Sequence, residues 1–492
     1  MLYGSLQARF ILPEVRIDQY SELAFAASLR SEDMFQYSAH SANIRSAPMA
    51  SGGSPPRLVQ KPCTPFGMAL LGHRSSAPGF PEPMSDRPLK VLFIAFACEP
   101  ERGSEPMVGW NCAWQASRTR PVWVITDPLH QVKMDRWLAE HNEHNIRVAY
   151  HAMPSWTQWM WKSLITVNIY YYFWNIGAGK LARRLHAEQQ FDVVHHVTYV
   201  RYWMPSAGAN LGIPFVWGPL GGGESAPRGF LKGMGLKGRV GEWLRDAMRW
   251  VFERDPRLKS CARSASVSIA CSEQTAERMQ RLGVRDLRVM SSIGIDPGNK
   301  KDPYTRPEDG RVRFISVGRL LHWKGFHFGL EAFAKAAIAN SEFVVVGTGP
   351  CLEPLREQAC ALGIADHVRF TGELPWRDAL RQFQEADVLV HPSLHDSGGF
   401  VLLEAMEMAK PVICLDLGGP GVYVNKSCGF AVPAKYVDQA IADIATAMRT
   451  LAEDPALRQR MGQAGRERVL SEFTWQRSAE EYERIYQKLV AK

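Results

Sequence analysis

The sequence lacks any C-x-x-C pair. Its 9 cysteines, at positions 63, 98, 112, 261, 271, 351, 360, 414 and 428, are odd in number and scattered. Neither a zinc cage nor a disulfide framework is suggested, and the expected state is buried free thiols in a reducing cytosol. Long apolar runs are missing as well. The longest charge-free aromatic stretch, between Lys162 and Lys180, holds 17 residues and includes Asn168, Asn175 and three tyrosines. A bilayer span needs about 20 largely apolar residues, so no transmembrane helix is expected. No basic segment followed by an apolar core opens the chain, and no signal peptide is expected. The expected location is therefore cytoplasmic. With 46% hydrophobic and 22% charged residues, wholesale disorder, a collagen and a coiled-coil rod are excluded. The 492 residues leave room for about two to four domains. A net charge of +8 permits an anionic partner without naming one. No nucleic-acid-binding module is recognisable, so nucleic acid is not an expected partner.

What is present falls into segments. Residues 1–86 read unlike the rest: nine prolines fall between Ser46 and Pro88, among many serines and glycines. Such a stretch buries too little to offset its ordering entropy. It is expected to be a disordered or mis-annotated extension, with Met84 as the candidate true start, although residues 13–35 carry a short helical pattern. Order is expected from Lys90. Residues 91–97 are a continuous apolar run, as in a strand buried on both faces. Further short strands are expected at 122–126, 146–149, 193–197, 214–217, 267–270 and 287–290, with helices between them, notably over 108–118 and 159–185. Residues 296–310 read as a polar hinge. Alternation then starts afresh, with strands at 313–317, 343–346, 368–371, 388–391 and 412–415. The expectation is an α/β chain of two Rossmann-like doubly wound domains, 87–295 and 311–472, facing a cleft. Residues 473–492 form an amphipathic helix expected to cross back to the first domain.

Two motifs carry chemistry. Gly318-Arg-Leu-Leu-His-Trp-Lys-Gly325 leaves a buried strand and enters a helix. Arg319 and Lys324 stand five apart across this loop, where both cations can converge on one diphosphate. A departing nucleoside diphosphate gains negative charge, so fixed cations there stabilise the transition state more than the ground state. A solvated basic loop is the plainer alternative. The second motif is His391-Pro-Ser-Leu-His-Asp396-Ser-Gly-Gly-Phe400-Val-Leu-Leu-Glu404. Backbone N–H groups of Gly399 and Phe400 at a helix start suit a phosphate. Glu404, one turn further in, can accept from two vicinal ribose hydroxyls, and Asp396 can reach sugar hydroxyls. Two capping acids on a core helix would look similar. Gly347-Thr-Gly-Pro350 follows another strand and is weak on its own.

Together these segments resemble the group 1 glycosyltransferases (family 4, retaining, GT-B fold). Asp387-Val-Leu-Val-His-Pro-Ser393 and Gly418-Gly419-Pro420 through Gly429-Phe430-Ala-Val-Pro433 agree in order and spacing. The first half resembles a subset of bacterial, exopolysaccharide-type members, with A-C-E-P-x-R-G-S-E-P-x-x-G-W and W-G-P-L-G-G-G-E. The resemblance implies a nucleotide-sugar donor on the second domain and a saccharide or lipid-linked acceptor on the first. Arg319 and Lys324 would hold the diphosphate and Glu404 the ribose. Gly318, Gly347 and Gly349 would line the donor. Gly398, Gly399 and Phe400 would donate from the backbone, and Leu374 would sit by the base. Asp396 stands where the family usually has Glu. Of His195 and His196, at Asp+3 and Asp+4, His196 is the favoured sugar-facing residue. Gly103, Ser104 and Glu105, and Gly221, Gly222, Gly223 and Glu224, would form loops at the phosphates and acceptor, with either glutamate orienting an acceptor hydroxyl. No Asp-x-Asp pair stands near the diphosphate, so neither a metal nor another cofactor is expected. Trp156, Trp159, Trp161, Tyr170–Tyr172, Phe173 and Trp174, followed by the arginines of 238–263, suit peripheral contact with anionic membrane or ordinary helix packing. A Rossmann oxidoreductase lacks its G-x-G-x-x-G here. A non-catalytic nucleotide-sugar-binding protein of the same fold stays open.

Overall fold

A computed structural model describes residues 87–141, 144–162, 164–199, 201–297 and 309–491. The expected extension over 1–86 and most of the 296–310 hinge lie outside these residues.

Strands β1 (Val91–Ala95), β2 (Val122–Thr126), β3 (Ile146–Tyr150), β4 (Val193–Thr198), β5 (Phe215–Leu220), β6 (Val267–Ala270) and β7 (Leu287–Val289) form one parallel sheet. Its order is β3-β2-β1-β4-β5-β6-β7. The second sheet, β10-β9-β8-β11-β12-β13, uses β8 (Val312–Val317), β9 (Ser341–Val346), β10 (Val368–Gly372), β11 (Val388–His391), β12 (Val412–Leu415) and β13 (Gly429–Val432). Both orders run outward from a central first strand and reverse beside it, as in doubly wound folds. Burial follows position. Every residue of β1, β2, β4, β5 and β6 is buried, whereas the edge strands β3 and β7 are mostly half-exposed. That is why the interior strands read as continuous apolar runs. β13 escapes a sequence reading: it is a four-residue edge strand that opens on glycine. The expected helix over 159–185 divides into a 3₁₀ turn, Ser155–Lys162, and an α-helix, Leu164–Gln189.

The chain passes between the sheets twice. The Ile295 N–H donates to the Phe473 carbonyl at 2.9 Å, and the Trp475 N–H to the Ile295 carbonyl at 3.1 Å. The final helix, Trp475–Val490, then returns to the first domain as expected. Its Tyr482 and Tyr486 are buried against His195, Glu483 pairs with Arg120, and Glu481 pairs with Arg288 at 3.4 Å. Among the described residues the cysteines are free thiols, and no helix is long and apolar enough to cross a membrane.

Candidate functional site

The loops after β8, β9 and β11 are built on one another. Gly318, at φ +146°, donates its N–H to the Val346 carbonyl at 3.0 Å, and Leu320 donates to the Thr348 carbonyl at 2.9 Å. A methyl group on Gly347 would stand 2.0 Å from the Gly318 carbonyl oxygen, and one on Gly349 would stand 2.5 Å from that of Leu320. Close approach of neighbouring backbone therefore already accounts for these two glycines. Gly347 also donates to the Gly372 carbonyl at 2.8 Å, which brings the half-buried Leu374 loop alongside. Gly325 backs onto the Pro392 carbonyl, and the Leu394 N–H donates to the Trp323 carbonyl at 2.8 Å. The 318–325 loop is thus fixed to the 391–399 loop.

That seam brings two expected site residues together. Lys324 Nζ donates to Asp396 Oδ2 at 2.6 Å, and His391 Nε2 donates to the same oxygen at 3.2 Å. Burial alone would raise the Asp396 carboxyl. The Lys324 ammonium, with the His391 contact, outweighs burial and holds the group well below the usual carboxylate range. Arg319, half-buried, starts the same loop. Gly399, at φ +89°, begins the helix Phe400–Glu407, and no side chain caps that start. Glu404 sits one turn inside it, half-buried.

The first-domain residues are placed differently from expectation. His195 and His196 are both buried, at 0% and 2% exposure, with both ring nitrogens engaged. His195 Nε2 donates to the Gly218 carbonyl at 2.6 Å, and its Nδ1 meets the Tyr486 hydroxyl at 2.6 Å. His196 meets the Ser206 hydroxyl at 2.8 Å and the Tyr171 hydroxyl at 3.1 Å. Successive side chains of a strand point to opposite faces. Helices cover both faces of β4, so neither imidazole reaches a surface, and the expected sugar-facing role of His196 is not what this geometry gives. Glu224 is also buried, at 2% exposure. One oxygen accepts from Gly222 N–H (2.9 Å) and the Ser397 hydroxyl (2.5 Å), the other from the hydroxyls of Ser272 (2.5 Å) and Thr275 (2.8 Å). Burial raises this carboxyl, and the three hydroxyls more than compensate, leaving it below its ordinary value. It is a tie between the domains rather than a group offered to an acceptor. Two glycines beside it serve the same closeness: a methyl group on Gly221 would meet Ser397 Oγ at 2.6 Å, and one on Gly223 would meet the Thr275 Cα at 2.5 Å. Glu105 accepts from the Tyr199 N–H at 2.8 Å. Gly103 and Ser104 are exposed, and nothing lies within 4 Å of a methyl group added at Gly103.

Sequence reasoning missed a second tie. Arg245 donates to the Glu224 carbonyl (3.0 Å), to Glu242 (2.8 Å) and to His395 Nδ1 (3.0 Å), while His395 Nε2 donates to Glu242 at 2.9 Å. This pattern requires a neutral imidazole protonated at Nε2. Burial, with the adjacent Arg245 charge, pushes His395 down to about 4. His395 also stacks on Trp323, with ring centroids 5.4 Å apart. Arg249 is buried and donates to the Glu224 carbonyl at 2.8 Å. The signal was available: Glu242, Arg245 and Arg249 lie on one helical face.

Two buried neutral histidines, His195 and His196, and the mostly buried His395 make the fold acid-sensitive. Burial lowers His195 to about 3 and His196 to about 4, as it lowers His395. The unfolded chain, titrating near 6.5, binds more protons in that window. Their contribution is therefore complete above about pH 6.5 and lost as the pH falls towards 4. Each is expected to cost up to about 1.4 kcal/mol per pH unit. Denaturant midpoints measured from pH 7 to 4.5 should fall steeply, and His196→Gln should flatten the slope.

Residues 299–468 match the family model described as "Glycosyl transferases group 1", and residues 102–291 match "Glycosyl transferase 4-like domain". The chain is 29% identical over 256 residues to glycogen synthase of Mycobacterium tuberculosis, which is 51% of this chain and 60% of that protein. It is 28% identical over 229 residues to the lipopolysaccharide core biosynthesis glycosyltransferase LpsE of Rhizobium meliloti, 44% of this chain and 63% of that protein. The chain thus spans less than two thirds of these relatives' lengths. Among solved structures, Anabaena Alr3699/HepE in complex with UDP aligns with a TM-score of 0.54 at 18% identity, covering 82% of this chain and 100% of that one. This last likeness concerns the two-domain fold.

Proposed function

Because the chain belongs to the group 1 glycosyl transferases, we propose that it moves a sugar from a nucleotide-sugar donor to an acceptor hydroxyl with retention of anomeric configuration. The observation that carries this reading is the Lys324–Asp396 pair at 2.6 Å. It lies on the seam that also presents Arg319 and the glycine-started helix bearing Glu404. In this reading Arg319 and Lys324 receive the charge that develops on the departing diphosphate. Glu404 accepts from the ribose, and Asp396, oriented by Lys324 and His391, accepts from a sugar hydroxyl. The acceptor hydroxyl attacks from the face the diphosphate leaves, and a departing phosphate oxygen takes its proton, so no separate strong base is required. The positive charge comes from the two side chains rather than from a divalent ion.

The relatives named above are a glycogen synthase and a glycosyltransferase of lipopolysaccharide core biosynthesis, which favours a polysaccharide or glycolipid product. In this reading the acceptor is a saccharide or a lipid-linked one, met in the cytoplasm or at the inner face of the plasma membrane. The Anabaena neighbour holds UDP, which makes UDP-sugars the first donors to try. The burial of both His195 and His196 favours one alternative, a protein that binds nucleotide-sugar without turning it over.

A thermal-shift panel of UDP-, GDP- and ADP-sugars tests the reading. A cognate donor at about 100 times its Kd should stabilise the protein by about 2.7 kcal/mol. Release of free nucleoside diphosphate from that donor then separates catalysis from binding. No shift with any member of the panel would contradict both readings.

A further inference from the structure

The helix Gly235–Phe252 is inside out. Its polar residues Glu242, Arg245 and Arg249 face inward, onto Glu224 and His395. Five of its apolar residues face solvent: Leu236, Val240, Trp243, Trp250 and Val251 are 75%, 52%, 70%, 59% and 58% exposed, whereas Leu244, Met248 and Phe252 beside them are half-buried. At 3.6 residues per turn these five fall within an arc of about 100°, opposite the polar three. A surface helix ordinarily does the reverse, and a contiguous exposed apolar face marks an interaction site.

The charge around this face has one dominant sign. Arg239 flanks it, and Arg254 lies over the Trp250 ring at 3.6 Å. Arg257, Lys259 and Arg263 are exposed just beyond the helix end. The nearby acids are engaged locally: Asp246 accepts from Arg249 at 3.1 Å, Asp255 from the Tyr172 hydroxyl at 2.7 Å, and Glu253 from the Tyr202 hydroxyl at 2.5 Å. Tyr172 also meets the Phe252 ring at 6.0 Å. That contact places its exposed neighbour Phe173 at the same end of the helix.

We propose that this face docks on an anionic lipid bilayer. The helix lies in the headgroup plane, Trp243 and Trp250 reach the acyl boundary, and the arginines meet lipid phosphates. Charge complementarity selects this occupant: a neutral protein surface would use the apolar residues and leave the arginines unmatched. The same helix braces, through its inward side, the loop that carries Asp396. The inference rests on exposure and charge alone and goes beyond the transfer reaction, so either idea can fail without the other.

Flotation of the full-length protein with vesicles decides it. At low salt the protein should float with phosphatidylcholine mixed with phosphatidylglycerol, and much less with phosphatidylcholine alone. Added salt should weaken the binding. Trp243→Ser combined with Trp250→Ser should lose about tenfold or more of the partitioning, with melting temperature and donor-induced shift unchanged, because both side chains are exposed. Arg239→Glu combined with Arg254→Glu should reduce binding to the anionic vesicles selectively. The proposal is overturned if the wild-type protein stays with the soluble fraction at every lipid composition, or if the tryptophan double variant floats like the wild type. It is equally overturned if sedimentation shows a dimer that the tryptophan substitutions dissolve, since the face then belongs to a second copy.

Discussion

Lys324→Met is expected to lower kcat by about 100- to 1,000-fold, the loss typical of removing one fixed donor from a developing oxyanion. The side chain has two duties. It neutralises Asp396 at 2.6 Å, and in the proposed mechanism it also faces the departing diphosphate. Methionine keeps the length and removes the charge. The ion pair is largely shielded from solvent, so its loss should also cost about 1–3 kcal/mol of stability, less than a fully buried pair would. The two duties can be separated. Adding Asp396→Asn removes the unmatched carboxylate and should restore much of the lost stability without restoring turnover, which a double-mutant cycle reads directly. Denaturant unfolding and steady-state kinetics with the donor found by thermal shift supply both numbers. Recovery of turnover in the double variant would assign Lys324 to structure alone.

Glu224→Ala is the second large effect, and it is one of stability. Five donors end on this carboxylate from three different segments: Gly222 N–H, the Cys271 thiol with the Ser272 and Thr275 hydroxyls, and the Ser397 hydroxyl of the second domain. Alanine removes the acceptor these donors share in a site that water does not reach; Gly222 N–H keeps Ser397 Oγ at 3.1 Å and the Ser272 hydroxyl keeps Thr275 Oγ1 at 3.2 Å, and the expected cost is about 3 kcal/mol. Glu224→Gln keeps one acceptor oxygen and should cost less. The folded carboxyl titrates below its ordinary value. Its contribution is therefore present above about pH 4.5, the unfolded value, and lost as the pH falls through the folded one. In Glu224→Ala the stability curve below pH 4.5 should be shallower than in the wild type. Because Ser397 adjoins Asp396, turnover should fall too. An alanine variant with wild-type melting would remove Glu224 from its role as the tie between domains.

These two residues also mark how far the sequence could be read. The two sheets were legible because their central strands are buried on both faces, and so carry unbroken apolar runs such as residues 91–97. The loop from Gly318 to Gly325 and the two acids at 396 and 404 were legible because residue type, spacing and a following helix agree. The pairing of Lys324 with Asp396 was not, since nothing local brings positions 72 residues apart together. In sequence, the glycines at 221–223 suit close backbone approach to a ligand. Ser397 and Thr275 instead fill the space that the absent side chains leave. A glycine run reports that something comes close, without reporting what. The arginines of 238–263 looked alike by composition and proved to be two groups. Arg245 and Arg249 turn into the interface, whereas Arg239, Arg254 and Arg257 stay outside. Helical phase separates them, and only the fold says which phase faces inward. The aromatic segment divided in the same way, with Tyr170, Tyr171 and Trp174 buried and Trp156, Trp159 and Phe173 exposed.

The central claim is that Arg319 and Lys324 grip a pyrophosphate. Calorimetric titration of the wild-type protein and of Arg319→Ala with a nucleoside diphosphate, and with the corresponding monophosphate, tests it most directly. The account predicts that the wild type prefers the diphosphate by about tenfold or more, as one further charge-assisted contact of about 1.5–3 kcal/mol would give, and that the preference collapses in the variant. Equal affinity of the wild type for both ligands, or an undiminished preference in Arg319→Ala, would contradict it.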